Sequence, residues 1–196
     1  MASWDDDGYY DVCFAVEKSR RYHAKMREFY DWWHNLARVT TALTGTASFF
    51  VLLANGLGIA KWLTAFVAMA AAIDSVFRFE RKARTQDGLY RRFTNLSARI
   101  AGWQPTPENL QKARAARLNI EADEPPVRRL VDLMAQNEEC RARGVGDDGM
   151  VPLSMWQRTF GYVFTFGLRR LEQWDNERNR GAASSAASLP VAGEKH

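Results

Sequence analysis

The chain of 196 residues is poor in the groups that do chemistry. It holds two cysteines, Cys13 and Cys140, far apart in the sequence, and three histidines, His23, His34 and His196. Two distant thiols exclude a disulfide-stapled scaffold, and without a Cys, His, Asp or Glu cluster at metal-ligand spacing no metal centre is expected. His23 and His196 read as unpartnered, and His34 as a hydrogen-bonded bystander. No nucleophile, base and orienting acid can be assembled from spacing, so no enzyme, no catalytic residue and no cofactor is expected. The opening residues 1–8, with Asp5, Asp6 and Asp7, are acidic where a secretory signal is basic and then apolar, so an uncleaved cytosolic segment is expected.

Charge is the next scarcity. Between Val39 and Phe77 there are only two formal charges, Lys61 and Asp74. The midpoint reads Asn55-Gly56-Leu57-Gly58, which divides the stretch into residues 39–57 and 59–77. At about 1.5 Å per residue each half reaches roughly the ~30 Å of a hydrocarbon core, so a two-span helical hairpin is expected. The competing explanation is a buried helical pair in a soluble protein, suggested by Thr40, Thr41, Thr44, Thr46 and Ser48. Against it, the runs Phe49 to Leu53 and Phe66 to Met69 leave no polar face for water. Lys61 sits at a span end, where its stem reaches the interface. Asp74, one turn before Arg78, is expected to form an i, i+4 ion pair with it rather than a proton relay.

What is abundant is arginine: 21 of the 27 basic residues, against 23 acidic ones and a net charge of +4. Arg20, Arg21, Lys25, Arg27 and Arg38 precede the first span, while Arg78, Arg81, Lys82, Arg84, Arg91 and Arg92 follow the second. Lys61 stands alone between them. The asymmetry places both termini in the cytoplasm, and the flanking cations would meet anionic lipid at about 1 kcal/mol each. That placement argues for a lipid bilayer as partner and against nucleic acid. Small residues recur every fourth position, Ala37, Thr41 and Gly45 on the first span and Ala68 and Ala72 on the second, a face that suits close packing within the hairpin or between copies. Two helices cannot enclose water, so any pore requires a homo-oligomer.

Tyr22, Met26, Phe29, Trp33 and Leu36 predict one face of a long helix entering the first span, and Leu89, Phe93, Leu96, Ile100 and Trp103 a matching stripe after the second. The two should pair antiparallel as a cytoplasmic stalk. Tyr30, Trp32, Trp33 and His34 crowd the approach to the bilayer, where amphipathic rings settle. Pro105 ends the stalk, Thr106-Pro107-Glu108 opens a helix to about Ala122, and Val127 to Arg143 forms another, with Leu130, Leu133 and Met134 inward and Gly144 as its stop. Gly144 to Gly149 matches G-x-G-x-x-G, but no strand precedes it and Asp147 and Asp148 would repel a pyrophosphate, so a linker is expected. Ser154 to Gln157 is a capping box opening a last helix with Trp156, Phe160, Val163, Gly167, Leu171 and Trp174 on one stripe. That aromatic helix is expected to pack near the inner membrane surface, or to lie in the interface with Arg158, Arg169 and Arg170 snorkelling. Residues 181–196 read as a disordered tail.

The basic aromatic helix, tight two-span hairpin, stalk helix and short helical end resemble the SLATT family, two-transmembrane effector domains of bacterial nucleotide-sensing conflict systems. The likeness covers roughly residues 15–145, in Tyr22 to Trp33, Phe93 to Ile100, Ile120 to Pro126 and Asn137 to Glu139, within a SLATT-like domain set at 9–104 and a cytoplasmic helical region at 105–180. It implies a membrane-perturbing or pore-forming effector of the bacterial inner membrane that arrests the phage-infected cell, with a nucleotide second messenger or sensor protein as trigger. Arg128 and Arg129, at the helix start after Pro126, are candidates to meet an anionic trigger. The alternative is a non-conducting membrane-tethered scaffold for a cytosolic partner. The fold expected is an all-α membrane protein: a transmembrane hairpin, an antiparallel cytoplasmic stalk and a small helical C-terminal region.

Overall fold

The computed structural model describes residues 4–53, 62, 65, 68, 69, 78–146, 150–165, 167, 169 and 171. All regular structure among them is α-helical, and the chain divides into two compact units, Met1–Val127 and Arg128–His196. The first is built on α1 (Trp4–Leu53), a single helix of 50 residues and hence about 75 Å long. No proline occurs before Pro105 to interrupt it.

Against α1 runs α2 (Phe79–Ala101). Tyr9 meets Ile100, Glu17 meets Ser97, His23 meets Gln86, Arg27 meets Asp87 and Trp33 meets Phe79, so the paired numbers add to 109, 114, 109, 114 and 112. A near-constant sum is the signature of two antiparallel helices holding one register. On α2 the expected stripe is buried: Leu89, Phe93, Leu96 and Ile100, extended upstream by Gln86 and Ala83, with Trp103 half-buried against it. On α1 the stripe differs from the expected one. Tyr22 and Met26 are buried, but Val12, Val16, His23 and Tyr30 share the seam, while Phe29 is only half-buried and Leu36 is exposed. The spacing 12, 16, 23, 26, 30, 33 keeps the 3.5-residue repeat that faces a partner helix continuously. A pattern scored on apolar residues alone skips His23 and falls one position out of phase.

After Gly102 and Pro105 the chain turns into α3 (Pro107–Glu121), capped as the sequence predicts: the Thr106 hydroxyl accepts from the Asn109 amide at 3.2 Å. Ala113 and Ile120 sink into the core with Val12, Val16, Leu89 and Phe93. The unit thus has three helices around one core, closed at the base by the Tyr9 hydroxyl donating to the Ile100 carbonyl at 2.7 Å.

The second unit begins with α4 (Arg129–Ala142), with Leu130, Leu133 and Met134 inward as expected. It stops where predicted. Gly144 takes φ +73°, its N–H donates to Arg141 O and that of Val145 to Cys140 O, a Schellman closure that a residue with a β-carbon disfavours. Asn137 then clamps the returning chain: its amide donates to Val151 O and accepts from Val151 N, both at 2.8 Å and both buried. The capping box at Ser154 and Gln157 is present and opens α5 (Met155–Phe160).

The long last helix is not. Helix α5 ends after six residues at Gly161, and Gly167 takes φ +71°, so no continuous stripe from Trp156 to Leu171 exists; Leu171 is buried while Trp156, Phe160 and Val163 are exposed. Gly161 explains the stop. A β-carbon there would lie 2.9 Å from Leu130 Cβ and 3.0 Å from Met134 Cε, so the chain crosses α4 at a point only glycine allows. Gly161→Ala is expected to destabilise the second unit by about 1–3 kcal/mol through overpacking, read as faster amide exchange across residues 129–161 with the first unit unaffected.

Candidate functional site

At the upper end of the described stalk the seam closes on a ring of aromatics. Trp33 stacks on Phe79 at 6.1 Å with planes 19° apart, Tyr30 lies 6.4 Å from Phe79, and Phe29 and Trp32 meet Trp33 edge-on. Lys82 sits 5.8 Å over the Tyr30 ring of the collar, and Arg27 4.9 Å over Tyr90. Trp32 of the collar, Leu36 and Val39 further along α1, and Trp62 and Met69 are large apolar residues and all exposed, Trp62 by 80%. Exposed large apolar side chains in this number point to an interaction face.

Below the collar lies a polar contact inside the core that the sequence did not disclose. His23 is 1% exposed; Nδ1 lies 2.6 Å from Gln86 Oε1, Nε2 lies 3.1 Å from Glu124 Oε1, and the ring stacks on Phe93 at 5.3 Å and meets Tyr22 edge-on. Far from being unpartnered, it ties α1 to α2 and to the turn after α3. With Nδ1–H donating to Gln86, the Nε2 contact is a hydrogen bond only when a proton lies between the ring and the carboxylate. Its partners stand 63 and 101 residues away, which no local pattern reveals. The one signal available was a histidine at a seam position, flanked by Tyr22 and Met26.

Arg27 also donates to Asp87 at 3.0 Å, and this hydrogen bond holds the Asp87 carboxyl below the usual carboxylate range against the opposing effect of burial, with Arg91 assisting. A folded-state pKa below the unfolded one stabilises the stalk above the ordinary carboxylate range, and the contribution is lost as pH falls through Asp87's lowered pKa. Acid unfolding followed by circular dichroism should therefore show a smaller loss of stability below about pH 4 in Asp87→Asn than in the native chain.

The residues singled out from sequence fall as follows. Thr41 is in α1 and its hydroxyl donates back to Ala37 O at 2.8 Å; Gly45 is in the same helix; Ala68 is helical and exposed. Lys61, Ala72, Asp74, the turn at 55–58, Asp147, Asp148 and the tail 181–196 lie outside the described residues. Arg78 is the left-handed N-cap of α2, with φ 46° and ψ 52°, so helical geometry begins at Phe79. Arg128 donates to Val163 O at 3.2 Å and Arg129 lies 3.5 Å from Asp132, so each guanidinium has a partner inside its own unit. Cys140 is buried, Cys13 is partly so, and among the described residues no group of three His, Cys, Asp or Glu could hold a metal ion. No helix, among the described residues, is long and apolar enough to cross a membrane; the described run of the first expected span, 39–53, is about 22 Å long. Comparison with known protein families, curated proteins and solved structures finds no match.

Proposed function

We propose that the chain is a SLATT-like effector of the bacterial inner membrane, in which a hairpin of spans 39–57 and 59–77 is carried on the cytoplasmic stalk, and copies associate through Thr41, Gly45, Ala68 and Ala72 to permeabilise the bilayer. The supporting observation is the register. Paired numbers adding to between 109 and 114 have a midpoint at residues 55–57, and the sequence puts Asn55-Gly56-Leu57-Gly58 there. A reversal of the chain at that tetrad is what the same antiparallel alignment, continued upward, would require. The aromatic collar, Lys82 on its Tyr30 ring and the exposed apolar residues Leu36 and Val39 are what a helix pair offers to head groups and then to acyl chains.

In this reading cytosolic helices receive a signal and the stalk rearranges between two packings to open a leak. The test is induced expression in bacteria with a potential-sensitive dye. Two forms are compared, the intact chain and one ending at Val127, which keeps α3 in the stalk core. Depolarisation by either form supports the effector, and Gly45→Leu should abolish it while the protein still fractionates with membranes. Unchanged potential with both forms would overturn it in favour of a tethered scaffold.

A further inference from the structure

We propose that the outward face of the α5 segment is a lipid-docking patch that lies on anionic bilayer surface. The short helix has two faces. Gln157 and Gly161 are buried, Gly161 against Leu130 and Met134, while Met155, Trp156, Phe160, Val163 and Phe164 are exposed, Met155 by 84% and Trp156 by 68%. These side chains are contiguous: Trp156 and Phe160 stack at 5.4 Å with planes 14° apart, and the Phe164 amide donates to Phe160 O at 2.9 Å, carrying the face one turn further.

The segment is held against rolling over to hide that face. The Ser154–Gln157 capping box fixes its start, Gly161 is seated on α4, and Arg128 holds Val163 O. An apolar face kept in solvent by its own anchoring is an interaction surface. Charge identifies the occupant. From Met150 to Leu171 there is no carboxylate, only Arg158, Arg169 and Arg170, in a chain that carries 23 acidic residues elsewhere. Arg158 and Arg169 are exposed. Tryptophan and phenylalanine rings in a segment whose only charged residues are arginines fit the boundary between acyl chains and anionic head groups, rings entering and guanidinium groups remaining at phosphate level. The inference does not depend on the hairpin crossing the bilayer.

The test uses the full chain in nanodiscs made with and without phosphatidylglycerol. A nitroxide is placed at Met155→Cys, in a Cys13→Ser, Cys140→Ala background, and its collisions with oxygen and with a water-soluble nickel chelate are measured. High oxygen and low nickel access, dependent on phosphatidylglycerol and weakened by Arg158→Glu, is expected. Low access to both would mean that protein covers the patch, high nickel access that water does, and lipid burial without phosphatidylglycerol that charge is irrelevant; each overturns the proposal. A second label at Ala68→Cys reports the hairpin separately, so water at 68 with lipid at 155 removes the spans and leaves the patch. Should the cysteine-free background fail to fold, brominated lipid applied to the native chain and to Trp156→Phe decides. Loss of part of the quenched emission in the variant is expected, and an unchanged quenched fraction overturns the proposal.

Discussion

Phe93→Ala should lower the stability of the first unit by about 3–5 kcal/mol, the largest effect of any single truncation in the stalk. Phe93 is 0% exposed and sits where all three helices meet, among Val12, Val16, Leu89, Leu96, Ala113 and Ile120. Its loss removes transfer energy and leaves a cavity that rigid helices close only in part. It also strips the face on which His23 stacks, so a buried imidazole loses its packing while keeping its two polar partners. Amide exchange resolved along the chain measures the effect. Protection should fall by on the order of a hundredfold or more across residues 9–30 and 83–120 and hold across 129–161. A loss below about 1 kcal/mol would mean the three helices do not share one core.

The second large effect belongs to the other unit. Asn137→Ala should cost about 2–5 kcal/mol, because it removes both partners of Val151 at once and leaves a buried amide and a buried carbonyl with nothing in their place. Truncating Asn137 is worse than truncating a neighbouring leucine of similar size for that reason: the penalty is desolvation of main chain as well as lost packing. Chemical denaturation monitored by amide exchange at 129–171 checks it, and the stalk should be untouched.

What the sequence disclosed follows a physical line. Helix ends were legible because their chemistry is local: Thr106 before Pro107, Gly144 after the last turn, and Ser154 three residues from Gln157 each satisfy orphan backbone groups within one turn. The α2 seam was legible because every member from Leu89 to Ile100 is apolar. The α1 seam came out one position off since it includes His23, whose burial depends on Gln86 and Glu124 in distant elements. The last helix was overextended for a similar reason. Periodicity alone cannot see that Gly161 must meet Leu130 and Met134, and that contact ends the helix where the aromatic pattern would have carried it on.

One asymmetry of the stalk has a mechanical outcome. Its two legs are built differently, for α1 passes from Trp4 to Leu53 as one piece whereas α2 begins at a left-handed N-cap on Arg78. A twist applied near Tyr9 is therefore expected to reach Leu53 along α1, while along α2 it reaches only the left-handed N-cap at Arg78. Such a stalk would work as a crank with a single bearing, and freezing that bearing should change how the base communicates with the tip.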